Sequence, residues 1–145
     1  MAGAVLVACG DGAGPSAEIP PELTGSWEAA PGCLPNCGFT LIRVDNPADS
    51  INFVAGTGTT FLLTLTAGGG FDLNEVLGGI DIRGRARAEG AMLILRDDAG
   101  VQDTADYALS GLFLSLAFRG ITEAFDFDGD ASGDPAVVRA TFRRR

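Results

Sequence analysis

Three observations in the sequence predict an all-β fold, a single antiparallel up-and-down β-barrel of about eight strands. The first is glycine, 21 of 145 residues, about twice the usual frequency. A glycine inside a helix costs about 1 kcal/mol against alanine, so this composition favours strands and turns. The second is spacing. From residue 38 onward, short apolar or alternating segments recur with turn residues between them, about every ten residues, and no amphipathic helix of useful length interrupts them. The third is the stretch Ile80 to Glu89, where Ile80, Ile82, Gly84, Ala86 and Ala88 fall on one face and Asp81, Arg83, Arg85, Arg87 and Glu89 on the other. A period of two held that long means one buried face and one wet face, so the arginine row reads as a solvated surface. Sequential hairpins close most economically as a barrel, which leaves no free edge; a two-sheet sandwich is the competing architecture.

The totals narrow the function. At 14.9 kDa the chain makes one domain with one core. A formal charge of −9 and a pI near 4.2 oppose nucleic-acid binding and offer no basic patch to anionic lipids. Histidine and lysine are absent, so all ten cationic side chains are arginine. That removes the usual general base, imidazole metal ligands, any Ser-His-Asp triad and Schiff-base chemistry. No nucleophile motif stands out, and the expectation is a protein that is not an enzyme and needs no cofactor.

The chain then divides into three parts. Residues 1–9, MAGAVLVAC, are small and apolar and end in Leu6-Val7-Ala8-Cys9. This run resembles the lipobox of bacterial lipoproteins. The resemblance implies a signal-peptide remnant, lipid acylation of Cys9, export, and anchoring in the bacterial cell envelope at the periplasm or cell surface. Only eight residues precede Cys9 and none is basic, whereas the apolar core of a signal alone takes about 7–15 residues, so the true start is expected upstream. The alternative is an apolar terminus with a chance cysteine. No other stretch approaches the roughly 18 apolar residues of a membrane span, so membrane contact is expected through the lipid anchor alone. Residues 10–22, GDGAGPSAEIPPE, have the glycine, proline and acidic composition of a flexible tether. Residues 23–145 form the barrel domain.

The domain opens on Leu23-Thr24-Gly25-Ser26-Trp27, which holds the only tryptophan. The stretch resembles the Gly-x-Trp signature on the first strand of lipocalins and bacterial lipocalin-like (calycin-type) proteins. Tyr107 to Leu114 is similar to a hairpin common in those domains. The resemblance implies that Trp27 closes one end of the barrel, that Gly25 lets the backbone pass close by, and that an arginine from late in the chain packs over the ring. Arg139 and Arg143 are the candidates for that arginine. With Cys9 taken by lipid, the three cysteines leave one pair, Cys33 and Cys37, with Pro35-Asn36 as turn residues between them. A disulfide is the expectation, two free thiols the alternative, and a zinc site is unsupported without histidine.

The strands follow in order. Phe39 to Val44 stops at Asp45-Asn46-Pro47; Ile51 to Val54 is a short strand or an irregular crossing; Phe61 to Leu65 turns at Gly68-Gly69-Gly70 into Phe71 to Leu73. Ile80 to Glu89 turns at Gly90 into Met92 to Leu95; Val101 to Leu109 turns at Ser110-Gly111 into Leu112 to Leu116; Ile121 to Phe127 and Val137 to Phe142 complete the set. In the last connection Asp126, Asp128, Asp130 and Asp134 alternate in the manner of loops that wrap calcium in oxygen ligands. An EF-hand is excluded, because alanine and valine stand where glycine and glutamate are required. The competing reading is a hairpin loop with Phe125 and Phe127 pointing inward. Glu123 shares their parity and is expected near the barrel mouth, and Tyr107 is expected to fill the core.

Functionally, these expectations describe an envelope-anchored lipoprotein whose barrel binds a small hydrophobic ligand. The alternative is a protein-interaction module, such as a periplasmic enzyme inhibitor that inserts the linker before Leu23 or its Cys33–Cys37 loop into an envelope protein partner, or a structural envelope component.

Overall fold

Alternating apolar and polar residues become eleven antiparallel strands in one continuous sheet. These belong to a computed structural model that describes residues 19–145; Cys9 lies outside the described residues. The strands are β1 (Gly25–Ala29), β2 (Gly38–Arg43), β3 (Ser50–Asn52), β4 (Phe61–Leu65), β5 (Gly70–Glu75), β6 (Asp81–Glu89), β7 (Met92–Asp97), β8 (Gln102–Ser110), β9 (Phe113–Phe118), β10 (Thr122–Phe125) and β11 (Asp134–Arg144). Eight of them close a barrel. β1 pairs with β4, β4 to β9 run as consecutive hairpins, and β11 joins β9 to β1. Such a ring is compatible with a calycin-like fold.

The up-and-down order holds from β4 to β9 and breaks at both ends of the chain. β11 is eleven residues long, enough to carry two short strands on one edge. Its end pairs with β1, Arg143 opposite Glu28 and Arg144 opposite Trp27, while Ala136–Thr141 pairs with β2. β3 extends the sheet from β2, and β10 pairs with the start of β11. The stretch Ile51 to Val54 resolves into β3 and a five-residue helix, α1 (Phe53–Thr57). The Asn52 side chain caps it by accepting from the Val54 N–H at 3.0 Å.

Inward positions make the core. On β4, Phe61, Leu63 and Leu65 are buried while Leu62 and Thr64 between them are only half-buried. β6 turns a narrow face inward, and Gly84 there stands opposite Phe71. A Cβ on Gly84 would overlap the Arg96 carbonyl oxygen of β7, so glycine is required where these two backbones approach. Tyr107 is half-buried and packs on the core, as expected. Ile19, inside the stretch expected to be tether, is buried in the core together with Leu23. Cys33 and Cys37 form a disulfide with 5.4 Å between their Cα atoms, and both are buried under the connection from β1 to β2.

Trp27 closes one end. It is fully buried, and its Nε1 donates to the Leu23 carbonyl at 2.9 Å. The arginine over its ring is Arg144, with the guanidinium carbon 4.1 Å from the centroid. Arg144 also donates from Nη1 to the Thr24 carbonyl at 2.8 Å and from Nη2 to that of Glu22. The expectation of Arg139 or Arg143 is therefore corrected, and strand parity is the reason. Ala140 and Phe142 face inward and are buried, so Arg139 and Arg143 face outward, and Arg144 is the arginine that returns to the inner side at the strand's end. Gly25 has φ of +121°, and a Cβ there would lie 3.0 Å from Arg144 Nη1. Its role beside the tryptophan is thus a backbone conformation and a close approach that other residues resist.

Arg144→Met is expected to lower stability by about 1–2 kcal/mol, through loss of the cation–π contact and of the strap to the 22–24 turn. Arg139→Met and Arg143→Met are expected to stay within about 0.5 kcal/mol of the parent, as surface substitutions do. Urea midpoints for the three variants measure the difference directly.

Candidate functional site

Hairpin turns alternate between the two ends of the barrel. The turns at 66–69, 90–91 and 111–112 lie at the Trp27 end; the connections at 76–80, 98–101 and 119–121 lie at the other. At the Trp27 end and through the middle, Leu63, Leu93, Leu114 and Phe142 fill the interior. At the opposite end the side chains stop short of one another, and a cavity of about 240 Å³ opens. Phe39, Leu73, Phe118 and Val138 wall it, Ile82, Gly120 and Ile121 form its lip, and Asp103 and Thr122 are its polar groups. Phe39 is held in place by stacking on Phe61, with ring centroids 4.1 Å apart and planes within 9°. Ile121 is 62% and Ile82 38% exposed at the lip, so the cavity is open to solvent. A second recess of about 330 Å³ adjoins it at Ile82 and has charged walls, including Asp81, Arg83, Asp97 and Asp98.

Asp103 and Asp106, three positions apart on β8, face different sides of the strand. Asp103 lies in register with Leu95 and on the same side of β8 as the fully buried Ala105, which places it at the mouth. Asp106 faces outward, where Arg119 grips it through Nε at 3.0 Å and Nη2 at 2.6 Å. That hydrogen bond holds the Asp106 carboxyl below its usual range. Glu123, expected near the mouth, is instead an exposed residue on β10, outside the ring. The pairing of β10 with β11 shifts register between Thr122 and Phe125, so parity does not carry through that segment. Phe125 and Phe127 pack edge to face at 4.8 Å, and Phe125 meets Phe53 of α1 at 6.3 Å. They form a cluster beside the barrel.

The acidic loop divides the four aspartates proposed as metal ligands. Asp126, Asp128 and Asp130 bring carboxylate oxygens within 4.8 Å of one another. Asp134 is buried elsewhere and accepts from the Phe127 N–H at 2.7 Å. The loop's carboxylates are engaged by its own backbone. Asp126 accepts from Gly129 and Ala131, Asp128 from Asp130, and Asp130 from Ser132, at 2.8–3.2 Å. Burial opposes ionisation of Asp126, but the Ala131 and Gly129 N–H groups outweigh it and hold that carboxyl below the usual range. Asp128 moves the other way. The Asp130 N–H favours its charge, yet burial, its hydrogen bond with Asp126 and the charges of Asp130 and Asp134 raise it.

Sequence reading missed the residue that ties this corner together. Arg43 Nη1 donates to Asp49 at 3.0 Å and Nη2 to Asp128 at 3.2 Å. Nη2 also lies 3.4 Å from Asp134, and Nε lies 2.7 Å from Asp45 without hydrogen-bond geometry. The hydrogen bond to Asp49 raises the Arg43 pKa, burial opposes it, and the charges of Asp134, Asp45 and Asp128 raise it further. One signal was available, since Arg43 shares parity with Phe39 and Leu41 on β2 and is a lone cation among inward residues. With Arg43 on Asp128 and backbone N–H groups on all three converging carboxylates, the loop keeps its shape without a cation. Chelator treatment followed by millimolar calcium is therefore expected to leave the melting temperature unchanged; a rise of several degrees would show that the three aspartates take up the ion.

The chain matches no protein-family model, no curated protein and no solved structure. Its function has to be read from the mouth cavity and the chemistry around it.

Proposed function

We propose that the protein is an envelope-anchored, lipocalin-like carrier that takes a small hydrophobic ligand into the barrel mouth. The observation that carries this reading is the cavity of about 240 Å³ walled by Phe39, Leu73, Phe118 and Val138, at the end opposite the Trp27 plug. It lies just below the usual range of small-molecule sites, roughly 300–1,000 Å³, so it suits a compact ligand or one end of a longer one. A ligand that buries about 200 Å² of apolar surface gains about 5 kcal/mol, part of which association costs offset, so binding is weak, about 0.2 mM or above.

Other features support the same reading. A chain without histidine or lysine is better suited to binding than to acid–base or Schiff-base catalysis. The Cys33–Cys37 disulfide supports export, because disulfides persist in oxidising compartments. The lipobox resemblance at Cys9 supports an acyl anchor, which stands as the membrane contact of this reading.

Titration of the purified chain with the neutral fluorescent probe N-phenyl-1-naphthylamine is expected to give saturable one-to-one binding. Val138→Trp, which fills the cavity, is expected to weaken that binding by at least about tenfold. Absence of saturable binding, or full binding by the filled variant, would overturn the carrier reading. For the anchor, Cys9→Ser is expected to move the protein from the membrane fraction to the soluble one in a bacterial host, and an unchanged distribution would count against acylation.

A further inference from the structure

Among the described residues, Asp103 is a mouth carboxylate with neither an ion pair nor a side-chain hydrogen bond, and it belongs to an otherwise mostly apolar cavity. Its Oδ1 faces Gly120 across the lip, where even a Cβ would stand 3.7 Å away. Arg119 lines a surface recess with Asp103 and Gly120, Arg83 lines the recess that adjoins the cavity, and both are committed. Arg119 is the neighbour of Gly120, but its guanidinium holds Asp106 on the outer wall at 2.6 Å and 3.0 Å. Arg83 bridges Asp72 at 3.2 Å and Asp81 at 3.3 Å. The adjoining recess adds Asp81, Asp97 and Asp98, and the chain as a whole carries −9. The mouth is therefore an apolar hollow under a negative field, with one carboxylate left free at its lip.

Each ligand class meets that arrangement differently. A fatty carboxylate would place like charge against Asp103. A neutral apolar molecule would fill the hollow but leave the exposed carboxylate to water and gain nothing from it. A protonated amine on an apolar body satisfies both halves of the site. Its hydrocarbon lies against Phe39, Leu73, Phe118 and Val138, and its ammonium group donates to Asp103. We infer that the mouth selects small hydrophobic amines, with Asp103 as the group that pairs with the ligand's ammonium. This rests on the carrier reading and adds to it a ligand class and a selectivity residue.

The test is competition against bound N-phenyl-1-naphthylamine on the full chain at neutral pH, using octylamine, octanol and octanoate. Octylamine is expected to displace the probe at a concentration about fivefold lower than octanol, the ratio an accessible ion pair supports, and octanoate to displace it least. Asp103→Asn is expected to erase the advantage of the amine while leaving octanol unchanged, and added salt is expected to shrink that advantage in the parent. Equal displacement by octylamine and octanol, or an amine preference that survives Asp103→Asn, would overturn the amine selectivity and leave the carrier reading standing. A parent chain that binds no probe at all would overturn both. Asp103 is exposed, so the substitution is not expected to disturb folding, and circular dichroism of the variant checks this.

Discussion

The structure depends on the hydrogen bonding of both edges of β11. One edge of this strand takes β9 and the other takes β1 and β2, so the row of hairpins from β4 to β9 acquires no free edge. An open sheet of this composition would expose unpaired N–H and C=O groups along β9 and β1 and would be a template for association. Closing the ring satisfies those groups within the chain. Closure completes only once β11 has met strands far from it in the chain, and long-range pairing of this kind folds slowly.

Closure also decides where the free volume lies. A barrel of about eight strands has an interior that side chains just fill. Here, among the described residues, the large inward side chains Trp27, Leu63, Leu93, Leu114 and Phe142 lie toward the middle and the Trp27 end, while Phe61 backs Phe39 on the mouth side. The final residues of β11 add the cap, since Arg144 covers Trp27 and ties the turn at residues 22–24 to the barrel. The mouth has no comparable plug. Its inward positions are Val138, Leu73, Ile82 and Asp103, with glycine at residue 120, and they leave a hollow that a ligand can fill. Rigidity at one end and space at the other are thus two consequences of one distribution of side-chain volume.

Charge is arranged with the same economy. The chain has nearly two acidic groups for each arginine, and several arginines sit where carboxylates converge. Arg43 joins the β2–β3 hairpin to the acidic loop through Asp45, Asp49, Asp128 and Asp134. Arg83 and Arg119 hold carboxylates on the outer wall. Among the described residues Asp103 is left without such a partner at the mouth, and that imbalance gives the cavity its sign.

Much of the fold was legible in the sequence because a period of two is a local property. The strands at Phe61–Leu65, Asp81–Glu89 and Gln102–Ser110 were readable from alternation and turn residues, and Gly25 and Trp27 marked the start of the barrel. The lipobox resemblance at Cys9, together with the turn residues Pro35-Asn36, implied the Cys33–Cys37 pair. What sequence did not decide was which strands lie side by side when they are far apart in the chain. The placement of β2 beside β11, the pairing that sets Arg144 beside Trp27, the convergence of four carboxylates on Arg43, and the meeting of Asp103 with Phe39 and Phe118 in one cavity all depend on register between distant segments. Register is set by the joint packing of both faces of the closed sheet, a cooperative property that no window of neighbouring residues contains.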